Sequence, residues 1–126
     1  MDNCHDISSE MLSLAKLQQI ITEGLTLEFS EESKINIQKC RDYLDDKMAT
    51  HDGAIYGINT GFGSLYNIKI EKEDLSKLQE NLVKSHACGT GSEVPSEIVK
   101  IMLLLKIQSL CYGHSGVQMV TVQRLI

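Results

Sequence analysis

The stretch that most constrains this chain runs from Tyr56 to Gly63 and reads YGINTGFG. Gly57, Gly61 and Gly63 fall within eight residues, alongside Tyr56, Asn59, Thr60 and Phe62. Glycine at that density marks backbone that bends sharply, enters positive φ, or lets a ligand come close. A plain linker would separate its glycines with Ser, Lys and Glu. Aromatic rings and an amide in those places indicate a shaped loop that carries functional groups.

The remaining residues must build something able to hold that loop. With 126 residues the chain can form one modest domain with its own core, and residues 1–126 show no internal boundary, repeat or low-complexity segment. Hydrophobic residues make up 42% but aromatics only 5%, with no Trp, so the core rests on Leu, Ile, Val and Met. A net charge of -5, without any cluster of Lys and Arg, argues against nucleic-acid binding through phosphates. Cys4, Cys40, Cys88 and Cys111 lie far apart, and no metal site or disulfide framework follows from their spacing. The N-terminus has no basic region followed by an apolar one, and no apolar run reaches membrane length. The expected setting is a reduced cytoplasm, with neither membrane nor metal.

Taken in order, the polar residues 1–6 are expected to fray. Ser8 and Ser9 precede Met11, Leu14, Leu17 and Ile21, whose steps of three and four predict a serine-capped amphipathic helix ended by Gly24. Leu25 to Phe29 alternates and predicts a short strand. Ser30-Glu31-Glu32-Ser33 opens a second helix with the stripe Ile37, Cys40, Leu44 and Met48, fading through residues 49–53. Beyond the glycine loop, Leu65 to Ile70 predicts a second strand. Glu71 to Asp74 then starts a helix with Leu75, Leu78 and Leu82 on one face. Pro95 marks the next helix start, and from Ile98 to Cys111 apolar residues occupy every side. Such a helix belongs inside a helical assembly, and its Gln108 and Lys106 need partners or a polar cavity. Gly113-His114-Ser115-Gly116 breaks it, and Val117 to Ile126 begins another. An end on Arg124-Leu125-Ile126, apolar and mid-helix, predicts a fragment of a longer chain.

The loop is no known phosphate cradle. Its order is G-x-x-x-G-x-G without a following lysine, unlike either the dinucleotide fingerprint or the P-loop. Residues 113–117 miss the hydrolase elbow, because Val117 stands where a glycine is required. Tyr56 is either a packing residue with a satisfied hydroxyl or, beside a mobile loop, a general acid or base if its pKa is lowered. His86, at a helix end before Gly89 and Gly91, is either a cap or a functional imidazole, and His114 is similar. Cys88 near His86 is more ordinary as a small packed thiol than as a nucleophile. Composition leaves these alternatives open.

Longer strings say more. YGINTGFG, LQENLVKSHACGTG (residues 78–91) and LLLKIQSLCYGHSGV (residues 103–117) together resemble the N-terminal part of the aromatic amino acid ammonia-lyases, in particular the histidine ammonia-lyases. The resemblance spans roughly residues 8–126, is weakest over the first forty, and rests on three separated motifs in the right order.

That resemblance implies a mainly α fold of the fumarase/aspartase-like lyase type, with two short strands and glycine-rich active-site loops. It implies homotetramers that eliminate ammonia from an amino acid, L-histidine giving urocanate. On it, Tyr56 matches the family's catalytic tyrosine and His86 its substrate-pocket histidine. Asn59 and Gly63 would line or shape the pocket, and Gly57 and Gly61 would shape the loop. Ser85 and His86 occupy the pair tied to side-chain selectivity. Ser-His favours histidine, although some tyrosine lyases and aminomutases share it. The family's electrophile is 4-methylideneimidazol-5-one, formed from an internal Ala-Ser-Gly. No Ala-Ser-Gly occurs here, and the lone Ser-Gly, Ser115-Gly116, follows His114. The expectation is an N-terminal fragment that is inactive alone, holds no cofactor of its own, and self-associates or is marginally stable. The rival expectations are a tyrosine lyase or aminomutase fragment, and a remnant that only binds a ligand or partner.

Overall fold

The computed structural model describes residues 3–126, and among them the chain is mainly helical with two short strands. It divides into two compact units. One comprises the residues up to Met48 together with Val94–Ile126, and the other Ala49–Glu93.

In the first unit, β1 (Cys4–Ile7) pairs in parallel with β2 (Thr26–Phe29), Cys4 opposite Thr26 and Ile7 opposite Phe29. The expected fraying of residues 1–6 is therefore corrected from residue 4 onward, while Met1 and Asp2 lie outside the described residues. The cause is non-local. Ile7 is 0% exposed, and its carbonyl accepts the Ser30 N–H at 3.0 Å and the Ser33 hydroxyl at 2.9 Å. Parallel strands need a crossover, and α1 (Leu14–Glu23) supplies it.

Helix α1 starts later than its sequence suggests. Ser13, not Ser8 or Ser9, caps it by accepting the Lys16 N–H at 3.2 Å. Residues 8–10 are held outside the helix because Gln108 Nε2 donates to the carbonyls of Ser8 (2.6 Å) and Glu10 (2.9 Å). The buried face is correspondingly shifted. Ile20 is buried and Leu17 half-buried, whereas Met11, Leu14 and Ile21 of the predicted stripe are exposed. Gly24 ends the helix as expected, with φ of 62° and its N–H on the Ile20 carbonyl.

Helix α2 (Glu31–Thr50) follows its predicted pattern. Ser30 Oγ accepts the Ser33 N–H at 3.1 Å, Glu31 and Glu32 sit in the first turn, and Ile37 is buried above half-buried Cys40, Leu44 and Met48.

Helix α3 (Leu75–His86) belongs to the second unit, and α4 spans Ser96–Cys111 directly after Pro95. Helix α4 buries one face only, that of Leu104, Ile107, Gln108, Leu110 and Cys111. Ile98, Val99, Leu103, Leu105 and Met102, the last 62% exposed, face solvent. The expected all-round burial is therefore only half realised within this chain. Gln108 has the partners it needs, while Lys106 is exposed. After the turn at residues 113–116, α5 (Met119–Gln123) returns Val122 to the core. Gly113 is required there, since its φ is 70° and a Cβ would lie 2.6 Å from the Asn36 carbonyl oxygen. The core cluster is Ile7, Ile20, Ile37, Leu104, Ile107, Leu110, Cys111 and Val122. No helix among the described residues is long and apolar enough to cross a membrane.

Two stability experiments follow. Ile107, 1% exposed, should cost about 2–5 kcal/mol on substitution by Ala, from lost burial plus a cavity. Met102→Ala should stay within about 0.5 kcal/mol. Urea denaturation of both variants measures the difference. The second concerns His5, whose buried Nε2 has no hydrogen-bond partner among the described residues. Burial, then the charge of Lys16, holds its pKa below the ordinary value against the pull of Asp6. The folded state therefore prefers the neutral ring, and the unfolded chain takes up the proton first. Stability is fully present above the ordinary pKa of about 6.5 and falls as pH drops below it. Melting curves against pH should show this slope in the wild type and a weaker one in His5→Asn.

Candidate active site

The second unit contains the glycine loop, and its hydrogen bonds explain the composition. The Ile55 carbonyl accepts the N–H groups of Ile58 and Asn59, both at 3.1 Å, forming a tight turn that presents Tyr56 and Gly57. Gly57 takes φ of 78°, a region that a side chain disfavours. Asn59 closes this turn from inside. Its Oδ1 accepts the Ile55 N–H at 2.6 Å and its Nδ2 donates to the Gly53 carbonyl at 3.1 Å. The residue is 4% exposed, so both ends of its amide serve the loop's own backbone.

The loop's second half is tied to residues 68–70. Gly61 N–H donates to the Ile68 carbonyl at 3.0 Å, and Ile70 N–H to the Asn59 carbonyl at 2.8 Å. Thr60 pairs with Lys69 in an isolated antiparallel bridge. A Cβ on Gly61 would come within 2.6 Å of Leu65 Cβ and 2.9 Å of its carbonyl oxygen. The predicted strand over residues 65–70 is corrected here. Gly63–Leu65 forms a 3₁₀ turn, and the N–H groups of Leu65, Tyr66 and Ile68 bond locally to residues 62, 63 and 65. Their donors are spent within the turn, which leaves Lys69 as the bridging residue.

Tyr56 stands on the outside of this framework, 64% exposed. Its ring packs edge-on against Phe62, centroids 6.3 Å apart and planes at 65°. Among the described residues its hydroxyl has no hydrogen-bond partner, so the ring is anchored while the oxygen is free for another molecule.

Helix α3 (Leu75–His86) starts from a 3₁₀ turn at Lys72–Asp74 and keeps Leu75, Leu78 and Leu82 on its half-buried face, as its periodicity predicts. It ends on Ser85 and His86, both exposed. Ser85 Oγ donates to the Leu82 carbonyl at 2.8 Å and lies 2.9 Å from His86 Nδ1. His86 Nδ1 is also 3.0 Å from the Leu82 carbonyl oxygen. The tyrosine loop and the Ser85–His86 pair thus form two separate groups in this unit, with no hydrogen bond or ring contact joining them among the described residues.

Sequence reasoning missed three contributors. Thr60 is buried and its Oγ1 donates to the Gly61 carbonyl at 2.9 Å. Lys69 Nζ lies 2.8 Å from Asp52 Oδ1, and that hydrogen-bonded ammonium holds the Asp52 carboxyl below its usual range. Phe62 is the packing partner of Tyr56. Only the pairing of residues 59–61 with 68–70 brings the first two into place, and no local signal announces it. Away from this unit, Cys4, Asp6 and Glu28 offer ligand atoms within 4.8 Å of one another, because alternate residues of β1 share a face. Exposed acids at strand ends commonly sit this way without an ion.

Removing the Asn59 amide tests the framework directly. Asn59→Ala leaves the Ile55 N–H and Gly53 carbonyl without partners, at about 1–3 kcal/mol of local stability. Hydrogen exchange at the Ile55 amide should quicken by roughly one to two orders of magnitude, with amides of the first unit unchanged.

Known proteins resemble this chain in sequence and in fold. The family model for aromatic amino acid lyases matches residues 12–126. A histidine ammonia-lyase of Streptococcus gordonii is 36% identical over 126 residues, all of this chain and 24% of that protein. The solved histidine ammonia-lyase of Trypanosoma cruzi superposes with a TM-score of 0.82 at 33% identity, over 97% of this chain and 24% of that one. A tyrosine aminomutase of Streptomyces globisporus does so with a TM-score of 0.84 at 28% identity, over 95% and 23%. The chain spans about a quarter of the length of the curated relatives that it matches. With the family model covering all but the first eleven residues, this chain belongs to the aromatic amino acid lyase family.

Proposed function

We propose that this chain supplies the tyrosine loop and the side-chain-reading helix end of an ammonia-lyase that converts L-histidine to urocanate. The observation that carries this reading is the placement of Tyr56. The Tyr56 phenol packs edge-on against Phe62 on a loop locked by Asn59, and its exposed hydroxyl has no hydrogen-bond partner among the described residues. A proton-transferring group needs that combination of a rigid base and a free oxygen. In this reading Tyr56 removes the substrate's β-proton or assists its removal. Ser85 and His86 read the substrate side chain. Gly57, Gly61 and Gly63 let the loop follow its path, and Asn59 positions it.

The family's electrophile does not fit this chain's residues. No Ala-Ser-Gly is present. At Ser115-Gly116 the Gly116 N–H donates to Cys40 Sγ at 3.2 Å, and its carbonyl accepts from Arg41 Nη1 at 3.3 Å. These groups hold a turn and are not available for cyclisation. The 126 residues therefore supply positioning and proton-transfer groups only. The uncovered face of α4 supports a role inside a larger helical assembly, as in a homotetramer, rather than action alone. The purified chain should form no urocanate from L-histidine above the uncatalysed background, by ultraviolet absorbance. In a longer chain that carries this segment together with Ala-Ser-Gly, Tyr56→Phe should lower kcat by about 10²–10⁴-fold with a smaller change in KM.

The likeness to tyrosine aminomutase supports a second reading, with L-tyrosine as substrate. Assaying that longer chain on both amino acids decides between them, and conversion of tyrosine alone, with release of ammonia or to the β-amino isomer, would replace histidine.

A further inference from the structure

Three polar atoms meet at the end of α3: the Leu82 carbonyl oxygen, Ser85 Oγ and His86 Nδ1, with separations of 2.8, 2.9 and 3.0 Å. A carbonyl oxygen can only accept. If Nδ1 of the neutral ring were bare, its lone pair would face the Leu82 oxygen at 3.0 Å with no proton between them, an electrostatic conflict. If Nδ1 carries the proton, it donates into the cleft between the Leu82 oxygen and the Ser85 oxygen. With the Ser85 hydroxyl proton directed to the Leu82 oxygen at 2.8 Å, its lone pairs face the ring nitrogen at 2.9 Å. All three atoms are then satisfied, which favours the proton of the neutral imidazole on Nδ1.

We propose that Ser85 is a positioning residue that locks neutral His86 in its Nδ1–H tautomer and presents Nε2 as a bare hydrogen-bond acceptor. The neighbouring N–H on the ring fixes which nitrogen is free, as a partner on one side of a histidine does generally. The consequence deepens the substrate reading above and, for this clause alone, rests on it. An acceptor at Nε2 selects an amino acid whose side chain offers a donor, an imidazole N–H or a phenol O–H, over one with a plain phenyl ring. Donor-matched sites discriminate more strongly than apolar ones, since the wrong ligand leaves a polar atom unpaired. The serine thereby acts on selectivity through the histidine as well as by its own place in the pair.

The tautomer can be read on the chain itself, with no substrate present. Isotope-labelled histidine nitrogens give distinct shifts for pyrrole-type and pyridine-type atoms, and His86→Gln identifies the His86 signals among the four histidines. The measurement is made at a pH where the ring is neutral, in solution or, for a self-associated sample, in the solid state. The expected result is a pyridine-type Nε2 in the wild type, a shift toward mixed tautomers in Ser85→Ala, and recovery in Ser85→Thr, which restores the hydroxyl. A pyridine-type Nδ1 in the wild type overturns the proposal. So does a Ser85→Ala spectrum identical to the wild type, which would leave the serine without this role. Neither result bears on the lyase reading, which the activity assays test separately.

Discussion

Both units of this chain depend on one constraint, that a polar group removed from water must find a partner. Among the described residues the buried polar side chains are Ser33, Asn59, Thr60 and Gln108, and each is hydrogen-bonded to backbone, Ser33 and Gln108 to distant segments and Asn59 and Thr60 within the loop. Ser33 ties α2 to the end of β1. Gln108 ties α4 to the irregular stretch before α1. Asn59 closes the glycine loop on itself. Apolar burial supplies cohesion in the first unit, but these bonds decide which segments meet and in what register.

The second unit shows how far such bonds can go alone. Its buried residues are polar or glycine, and every buried apolar residue described belongs to the first unit. A loop with three glycines in eight residues has little intrinsic shape, since each glycine enlarges the set of conformations that folding must exclude. The Asn59 amide and the pairing of residues 59–61 with 68–70 exclude them. Rigidity under Tyr56 is thereby achieved without covering it.

Helix α4 carries the complementary message. Its sequence is apolar on every side, yet the chain covers one face of its C-terminal half. The uncovered residues Ile98, Val99, Met102, Leu103 and Leu105 form an apolar surface larger in kind than scattered exposed leucines. The same economy governs the histidine site, where a helix terminus offers Ser85 and His86 to solvent while orienting them through its own carbonyl.

Much of this was legible in the sequence. Helix periodicity placed α2, α3 and the inward-facing stripe of each, because the contacts that define a helical face lie three and four residues apart. Glycine density located the loop, and three ordered motifs located the family. Tertiary structure alone decided the rest. Polar residues 4–6 became a strand because Ile7 and its carbonyl are needed by α2. Helix α1 began at Leu14 rather than after Ser9 because Gln108, about a hundred positions away, holds Ser8 and Glu10. Residues 65–70 did not extend into a strand because a 3₁₀ turn consumed their donors. Thr60, Lys69 and the duty of Asn59 were hidden for the same reason. Residue type limits which bonds a side chain can make, but its partner is set by which distant backbone group the fold brings within about 3 Å.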